Sequence, residues 1–433
     1  MSDSISAEKK KKDGYILRCF SCKTEYEVDD YGKFYKCAKC GNLLEVKRVS
    51  GVSGGAEYPS GSRIGVWKYF DLIPLWSQKN IVSLSEGGTT LFDCRNLGEH
   101  FGFSSLYVKF EGLNPTGSFK DRGMTVGVSK AVELNFKSAM CASTGNTSAS
   151  LAAYSAKAGM RCIVLVPKGK IAMGKMAQAV AYGAEIFQVD GNFDDSLRVA
   201  SEICERDRKI LLLNSLNPFR IEGQKTVSFE IVEQLGGQIP EYVVLPVGNG
   251  GNITAAWKGF SEIFEDGLQG IVGSHCGRTP PKMIAVQAEG AAPIARAFRA
   301  GVRDSIEFVS DPHTEASAIN IGSPVSWMKA LAAIYDSHGL ADHVSDREIF
   351  DAQKLLASKE GIFVEPASAT PLAYLARIAS ENSDQYAQMK DSKMVCICTG
   401  SGLKVPNAVL KGVTLERLPS ISADAKSLEK ILA

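Results

Sequence analysis

Residues 242–257, "YVVLPVGNGGNITAAW", pass from a short apolar, β-rich run through a glycine turn into a helical pattern. Strand, turn and helix in that order form the unit of a parallel α/β sheet. The unit recurs on both sides. "SLYVKF" (105–110) precedes a helical stretch after Phe119, and "RCIVLVP" (161–167) precedes "MGKMAQAVAYG" (173–183). "EIFQVD" (185–190) leads to "FDDSLRVASEICER" (193–206), and "KILLLNS" (209–215) to "QKTVSFEIVEQLG" (224–236). "MIAVQAEG" (283–290) and "MVCICTG" (394–400) close the series. The alternation predicts an α/β architecture of parallel sheets flanked by helices, with no fixed-period repeat.

Three glycine-containing turns border these elements: "STGNTSAS" (143–150), "GNGGN" (248–252) and "TGSG" (399–402). Ligands of open α/β sheets collect at the carboxyl ends of strands, so three such turns predict one shared cleft. The 248–252 turn can aim several backbone N–H groups at one point, and the helix behind it adds its dipole, which suits a dianionic phosphate. It lacks the Lys-Ser/Thr of a nucleotide P-loop and does not match G-x-G-x-x-G. The phosphate is therefore expected on a cofactor other than ATP or NAD.

"EGLNPTGSFKDRGM" (111–124) sets Lys120 behind a Gly-Ser turn at the start of a helical stretch. An amine held in a partly desolvated cleft loses its proton readily and can form a Schiff base with an aldehyde. Pyridoxal phosphate carries both an aldehyde and a phosphate, so Lys120 and the 248–252 turn together point to it. Asp121 and Arg122 read as anchors of the loop.

The chain has 433 residues, enough for two domains and an appendage. Lys and Arg number 49 against 48 Asp and Glu, so no global field recruits nucleic acid or an anionic membrane. Small molecules and further copies of the chain, in a homodimer, are the expected partners. No apolar run reaches membrane-spanning length, and a cytoplasmic location is expected. The lysine-rich start, "MSDSISAEKKKKDG", reads as a disordered tail over 1–14 or as a short basic binding or targeting segment.

Cys19, Cys22, Cys37 and Cys40 form two C-x-x-C knuckles, while the other seven cysteines are scattered through predicted strands and helices as reduced thiols. Paired knuckles let two tight turns present four thiolates to one tetrahedral ion, zinc by expectation, in a zinc-ribbon-like module over 15–50. Two redox pairs are the alternative, but each needs a helix N-terminus, and the flanking "GYILR" and "LLEVKRV" read as strands. A non-enzymatic zinc-ribbon binding protein is the corresponding alternative for the whole chain. Residues 51–84 read as a linker and a packing arm.

The stretches "EGLNPTGSFKDRGM", "ASTGNTSASLAAYSAKAG", "VPKGKIAMGKMAQAVAYGA", "NSLNPFRIEGQKT", "PVGNGGN", "GIFVEPASA" and "TGSGLK" resemble, in the same order, the threonine synthases. These are pyridoxal-phosphate enzymes of the tryptophan-synthase-β fold type. The resemblance spans about 85 to 420 and implies two three-layer, parallel-sheet domains with the cofactor between them. The smaller would be inserted over roughly 115–215, and residues 421–433 would form a tail. It implies that Lys120 binds the cofactor covalently and is catalytic, and that Asn146 bonds the cofactor's phenolic oxygen. Gly248, Asn249, Gly250, Gly251 and Asn252 would cradle its phosphate, and Thr399 would sit at the pyridine nitrogen. A neutral hydroxyl there weakens the ring as an electron sink and favours elimination and addition at Cβ and Cγ.

On the substrate side the resemblance places Ser143, Thr144 and Thr147 at the α-carboxylate and Asn214, Ser215 and Arg220 near a substrate phosphate. A salt bridge from Arg220 to Glu222 is the structural alternative. Glu86 and Thr89, in "SEGGTTL", look like part of the family's entrance loop. The expected reaction is that of a carbon–oxygen lyase turning O-phospho-L-homoserine and water into L-threonine and phosphate. Ser401, Val405 and Asn320 stand where the family often has His, Asp and Arg. Those departures keep open a cysteate synthase acting on phosphoserine and sulfite, and a threonine dehydratase.

Overall fold

A computed structural model describes residues 14–32, 34–49, 64–169, 173–265 and 279–408, together with residues 12 and 423. The tails expected over 1–14 and 421–433, and the first part of the linker, lie largely outside the described residues. At the N-terminal end β1 (Tyr15–Cys19), β2 (Glu25–Tyr26) and β3 (Leu44–Arg48) form an antiparallel sheet in the order β2-β1-β3. Cys19 ends β1 as a buried residue.

The chain then begins a second sheet with β4 (Leu91–Asp93) and β5 (Ser105–Phe110). It leaves that sheet to build a third from β6 (Ser138–Ala142), β7 (Arg161–Pro167), β8 (Glu185–Val189) and β9 (Ile210–Leu212), all parallel in the order β8-β7-β6-β9. Finally β10 (Tyr242–Pro246), β11 (Lys282–Ala288), β12 (Leu340–Val344) and β13 (Lys393–Cys398) return to the second sheet. Its order is β12-β11-β10-β13-β5-β4, parallel except where β4 meets β5.

The period of two explains how this larger sheet is buried on both faces. Tyr242, Val244, Ile284, Val286, Met394 and Cys396 enter one core, and their neighbours Val243, Leu245, Met283, Ala285 and Val395 enter the other. The strand β6, "SAMCA", was not legible as one because small residues carry little β preference, yet it pairs on both edges within the smaller sheet. β12, "LADHV", also escaped, because an edge strand with two charged or polar residues between its apolar ones carries no clear pattern.

The third core is shared. Tyr15, Leu17, Tyr31, Tyr35, Leu44 and Val46 of the N-terminal sheet, Trp67, Ile73 and Leu75 of the arm, and the strands of the smaller parallel sheet form one buried cluster. Trp67 donates its Nε1–H to Thr125 Oγ1 at 2.8 Å, fixing the arm to the helix Lys120–Glu133. No helix among the described residues is long and apolar enough to cross a membrane.

Candidate active site

A cleft of about 1050 Å³ opens where strands of both parallel sheets end. Its lining includes Ala142, Pro167 and Pro246, the last residues of β6, β7 and β10, and Thr399 directly after β13. All three glycine-containing turns reach it. Lys120, Ser143, Thr144, Asn146, Thr147, Asn214, Ser215, Arg220, Gly248, Asn249, Gly250, Gly251, Asn252 and Thr399 all line it. Glu86 and Thr89 do not. Glu86 is buried and accepts bonds from Ser83 Oγ, the Leu84 N–H and Tyr154 Oη, while Thr89 donates to Glu111, so both serve the scaffold.

Lys120 is the first residue of its helix, and the preceding turn is tied to the segment after β13, the neighbour of β5 in the larger sheet: the Phe119 N–H donates to Thr399 O at 2.9 Å and the Ser401 N–H to Gly117 O at 2.9 Å. Asp121 takes up the Thr116 N–H, Thr116 Oγ1 and Ser150 Oγ at 2.6–2.7 Å, and is an anchor. Burial pushes the Lys120 ammonium down to about 7, with the Arg220 charge acting in the same direction and Glu365 against it. A lysine near neutrality can both take and give a proton at physiological pH.

The 248–252 turn follows β10 and opens the helix Gly251–Glu265. Gly250 has φ +83°, and a Cβ there would come 3.0 Å from Ser326 O and Ala330 Cβ. Asn249 holds the turn against residues 325–326 by accepting the Val325 N–H on its side chain and the Ser326 N–H on its carbonyl. Asn252 Nδ2 is buried with no partner among the described residues, a donor aimed at nothing the chain supplies.

Arg220 sits on the helix Pro218–Gln224, which Asn217 caps by accepting the Phe219 and Arg220 N–H groups, with Pro218 at the first position. This helix lies so close to Lys120–Glu133 that a Cβ on Gly223 would fall 1.8 Å from Arg122 O. Arg220 is 1% exposed, and among the described residues its guanidinium makes one hydrogen bond, from Nη1 to Leu213 O at 3.1 Å. Nε has no partner, and among the described residues no carboxylate pairs with it. Burial accordingly lowers its pKa to about 10. Glu222, the alternative partner, is taken by Lys225 and Lys258. Residues two apart on a helix do not face each other.

Asn214 lines the cleft, but its amide is spent on Ala142, accepting from N–H and donating to C=O at 2.9 Å each. The cleft also contains groups that sequence reasoning missed. Glu365 accepts from Asn146 Nδ2 at 2.9 and 3.1 Å, across 219 residues of chain. Behind the lining, Ser368 Oγ lies 2.9 Å from Thr399 Oγ1 and accepts the Gly400 N–H, fixing the hydroxyl just past β13. Lys404 bonds Thr116 O and Gln178 at the rim. The Glu-Pro of "VEPASA" reads as a helix start, which it also is, and carries no further signal.

Away from the cleft, the sulfurs of Cys19, Cys22, Cys37 and Cys40 lie within 4.8 Å of one another, with Cys19–Cys40 and Cys22–Cys37 at 3.5 Å. A tetrahedral ion at a metal–sulfur distance of about 2.3 Å requires sulfur separations of about 3.8 Å, so the donor set fits zinc. Strand and turn, not helix, flank both knuckles.

Residues 82–400 match the family model described as pyridoxal-phosphate dependent enzyme. A threonine synthase of Methanocaldococcus jannaschii is 50% identical over 425 residues, covering 96% of this chain and 99% of its own. That of Methanosarcina acetivorans is 48% identical over 397 residues, covering 92% and 94%. Among solved structures, the processed form of threonine deaminase isoform 2 from Solanum lycopersicum aligns with a TM-score of 0.61 at 22% identity, over 76% of this chain and 88% of its own, a likeness of fold.

Proposed function

We propose that this chain, which belongs to the pyridoxal-phosphate-dependent enzymes and within them to the threonine synthase family, converts O-phospho-L-homoserine and water into L-threonine and phosphate. The observation that carries the reading is a buried guanidinium without a carboxylate among the described residues, read as a second phosphate site. One cleft holds both the glycine cradle at 248–252 and the acid-free guanidinium of Arg220. An enzyme of this cofactor acting on a plain amino acid has to hold an α-carboxylate but no second phosphate.

The residues fit the cofactor: an amine of lowered proton affinity, a phosphate cradle with the unpartnered Asn252 Nδ2, and a hydroxyl where β13 ends. Bound pyridoxal phosphate supplies an aldehyde that condenses with amines and a ring that withdraws electrons from Cα. Lys120 Nζ would hold it covalently, and Thr399 Oγ1, steadied by Ser368, would face the ring nitrogen without charging it. Lys120 Nζ would also be the group that takes the proton from Cα and moves protons among Cα, Cβ and Cγ. Ser143, Thr144 and Thr147, where the helix Asn146–Ala158 begins, hold the α-carboxylate. Ser215 and Arg220 hold the phosphate, and the guanidinium balances the charge that grows on the phosphate oxygens as the Cγ–O bond breaks. Water then adds at Cβ. The four cysteines would hold a structural zinc ion, which metal analysis of fresh protein should find at one per chain.

Phosphate release from O-phosphohomoserine, run against phosphoserine with sulfite, tests the assignment; turnover of the second pair alone would replace it with cysteate synthesis. Arg220→Ala should lower kcat/KM on O-phosphohomoserine about tenfold to a hundredfold, the range of a charged hydrogen bond of about 1.5–3 kcal/mol, with cofactor affinity unchanged. A loss under about threefold would remove Arg220 from the phosphate site.

A further inference from the structure

Among the described residues the guanidinium of Arg220 has one hydrogen bond and no acid, so its place depends on what packs around its helix. One side of that packing is the helix Lys120–Glu133, whose Gly123 and Gly127 lie against the Arg220 side chain, and another comes from the N-terminal cysteine module. Tyr31 sets its ring edge-on to Phe219, the residue before Arg220, at 5.2 Å and 86°, and is itself braced by Tyr35 at 5.6 Å. Tyr35 Oη donates to Ile210 O at 3.0 Å and accepts the Leu212 N–H at 3.4 Å, clamping β9. The next residue, Leu213, supplies the carbonyl that takes Arg220 Nη1. On the far side Lys258 joins Val46 O of β3, at 2.5 Å, to Glu222 on the helix that carries Arg220. Phe219 and Tyr31 are both buried, so a void left by either would loosen the packing against that helix.

We infer that the cysteine module is a positioning element of the substrate-anion site, with Tyr31 its contact residue, so that the module sets how well Arg220 captures a phosphate. The inference rests on the reading of Arg220 as the phosphate-binding residue. It makes Tyr31 a residue that acts through Phe219 on the guanidinium, touching neither substrate nor cofactor.

The test uses the full-length holoenzyme with two probes, inorganic phosphate as a competitive inhibitor and O-phospho-L-homoserine as substrate. Tyr31→Leu should raise the Ki for phosphate and the KM together by about tenfold, within the range known for a slightly misplaced binding group, leaving kcat and the bound cofactor's absorbance unchanged. Tyr31→Phe, which keeps the ring, should restore both constants. In the double variant Tyr31→Leu/Arg220→Ala the first substitution should add nothing to the second, as expected of one coupled unit. Unchanged Ki and KM in Tyr31→Leu, full additivity in the double variant, or no rescue by phenylalanine would each overturn the inference. Should Tyr31→Leu fail to fold, Lys258→Met cuts the second tie and carries the same expectation for Ki. Arg220→Ala separates the two readings. If it leaves the phosphate Ki unchanged, the anion-site assignment falls; if it raises the Ki while Tyr31→Leu does not, the module inference falls alone.

Discussion

Arg122 and Arg220 are both buried, on two helices in close contact, and their surroundings are opposite. Arg122 is enclosed by Glu111 and Glu230 at 2.6–2.7 Å, with Thr89 and Thr226 filling the remaining sites and Lys109 completing the charge balance on Glu230. Burial alone would lower its pKa, but the two carboxylates hold it well above the usual range. Among the described residues Arg220 has one carbonyl and no carboxylate, and burial wins. The first arrangement is closed and contacts no cleft; the second borders the cleft and leaves a buried donor without a partner among the described residues. The difference teaches where a buried charge serves the scaffold and where it waits for a ligand. Lys120 belongs with Arg220: burial outweighs its neighbours there too.

If function resides in these under-compensated cations, the largest effect belongs to the one that carries the chemistry. Lys120→Ala should reduce phosphate release from O-phosphohomoserine by about 10⁴-fold or more, since it removes the covalent hold and the proton carrier together. The absorbance of the covalently held cofactor should disappear on dialysis. Its survival would mean that another lysine holds the cofactor and that the comparison has been drawn around the wrong amine.

The same substitution made at each arginine tests the contrast directly. Arg122→Met leaves two buried carboxylates facing Lys109 alone, and should cost about 3–5 kcal/mol of stability, the usual penalty for breaking a buried pair. Arg220→Met removes a charge that nothing compensates, and should leave the cofactor-free protein as stable or slightly more stable while impairing phosphate capture. Urea midpoints of the two variants decide it. Equal losses would show that Arg220 has a structural partner after all.

The contrast also marks what local sequence could carry. "GNGGN" and "GSFKDRG" announce themselves because turn geometry and helix position are local properties, and the apolar runs of β5, β7, β10 and β13 announce a sheet covered on both faces. Four cysteines in paired knuckles announce a metal for the same reason. The state of each charge was not local. Arg122 meets Glu230 from 108 residues away, and Asn146 meets Glu365 from 219. Whether an arginine is closed or open depends on such pairings, which spacing does not encode. The alternative Glu222 contact failed on a local rule that was available, since positions two apart point away from each other. The docking of Tyr31 on Phe219, 188 positions apart in sequence, left no trace in either segment.

The smallest expected effect is a pH dependence confined to Lys120. Its folded pKa of about 7 lies below the ordinary 10.5, so the folded state releases this proton first. Below about 7 both folded and unfolded chains carry the proton, and the folded state bears the full cost of a buried ammonium. Between about 7 and 10.5 the unfolded chain binds more protons, so the Lys120 contribution to stability becomes less unfavourable as pH rises, and above that window the cost is gone. Lys120→Met removes the term altogether. The cofactor-free variant should therefore be more stable than cofactor-free wild type at pH 6.5, with the gap shrinking toward pH 9. Subtracting one protein from the other at each pH cancels the remaining titrations. Urea midpoints at the two pH values measure it, and a gap that stays constant or widens with pH would place Lys120 among compensated charges, on the side of Arg122.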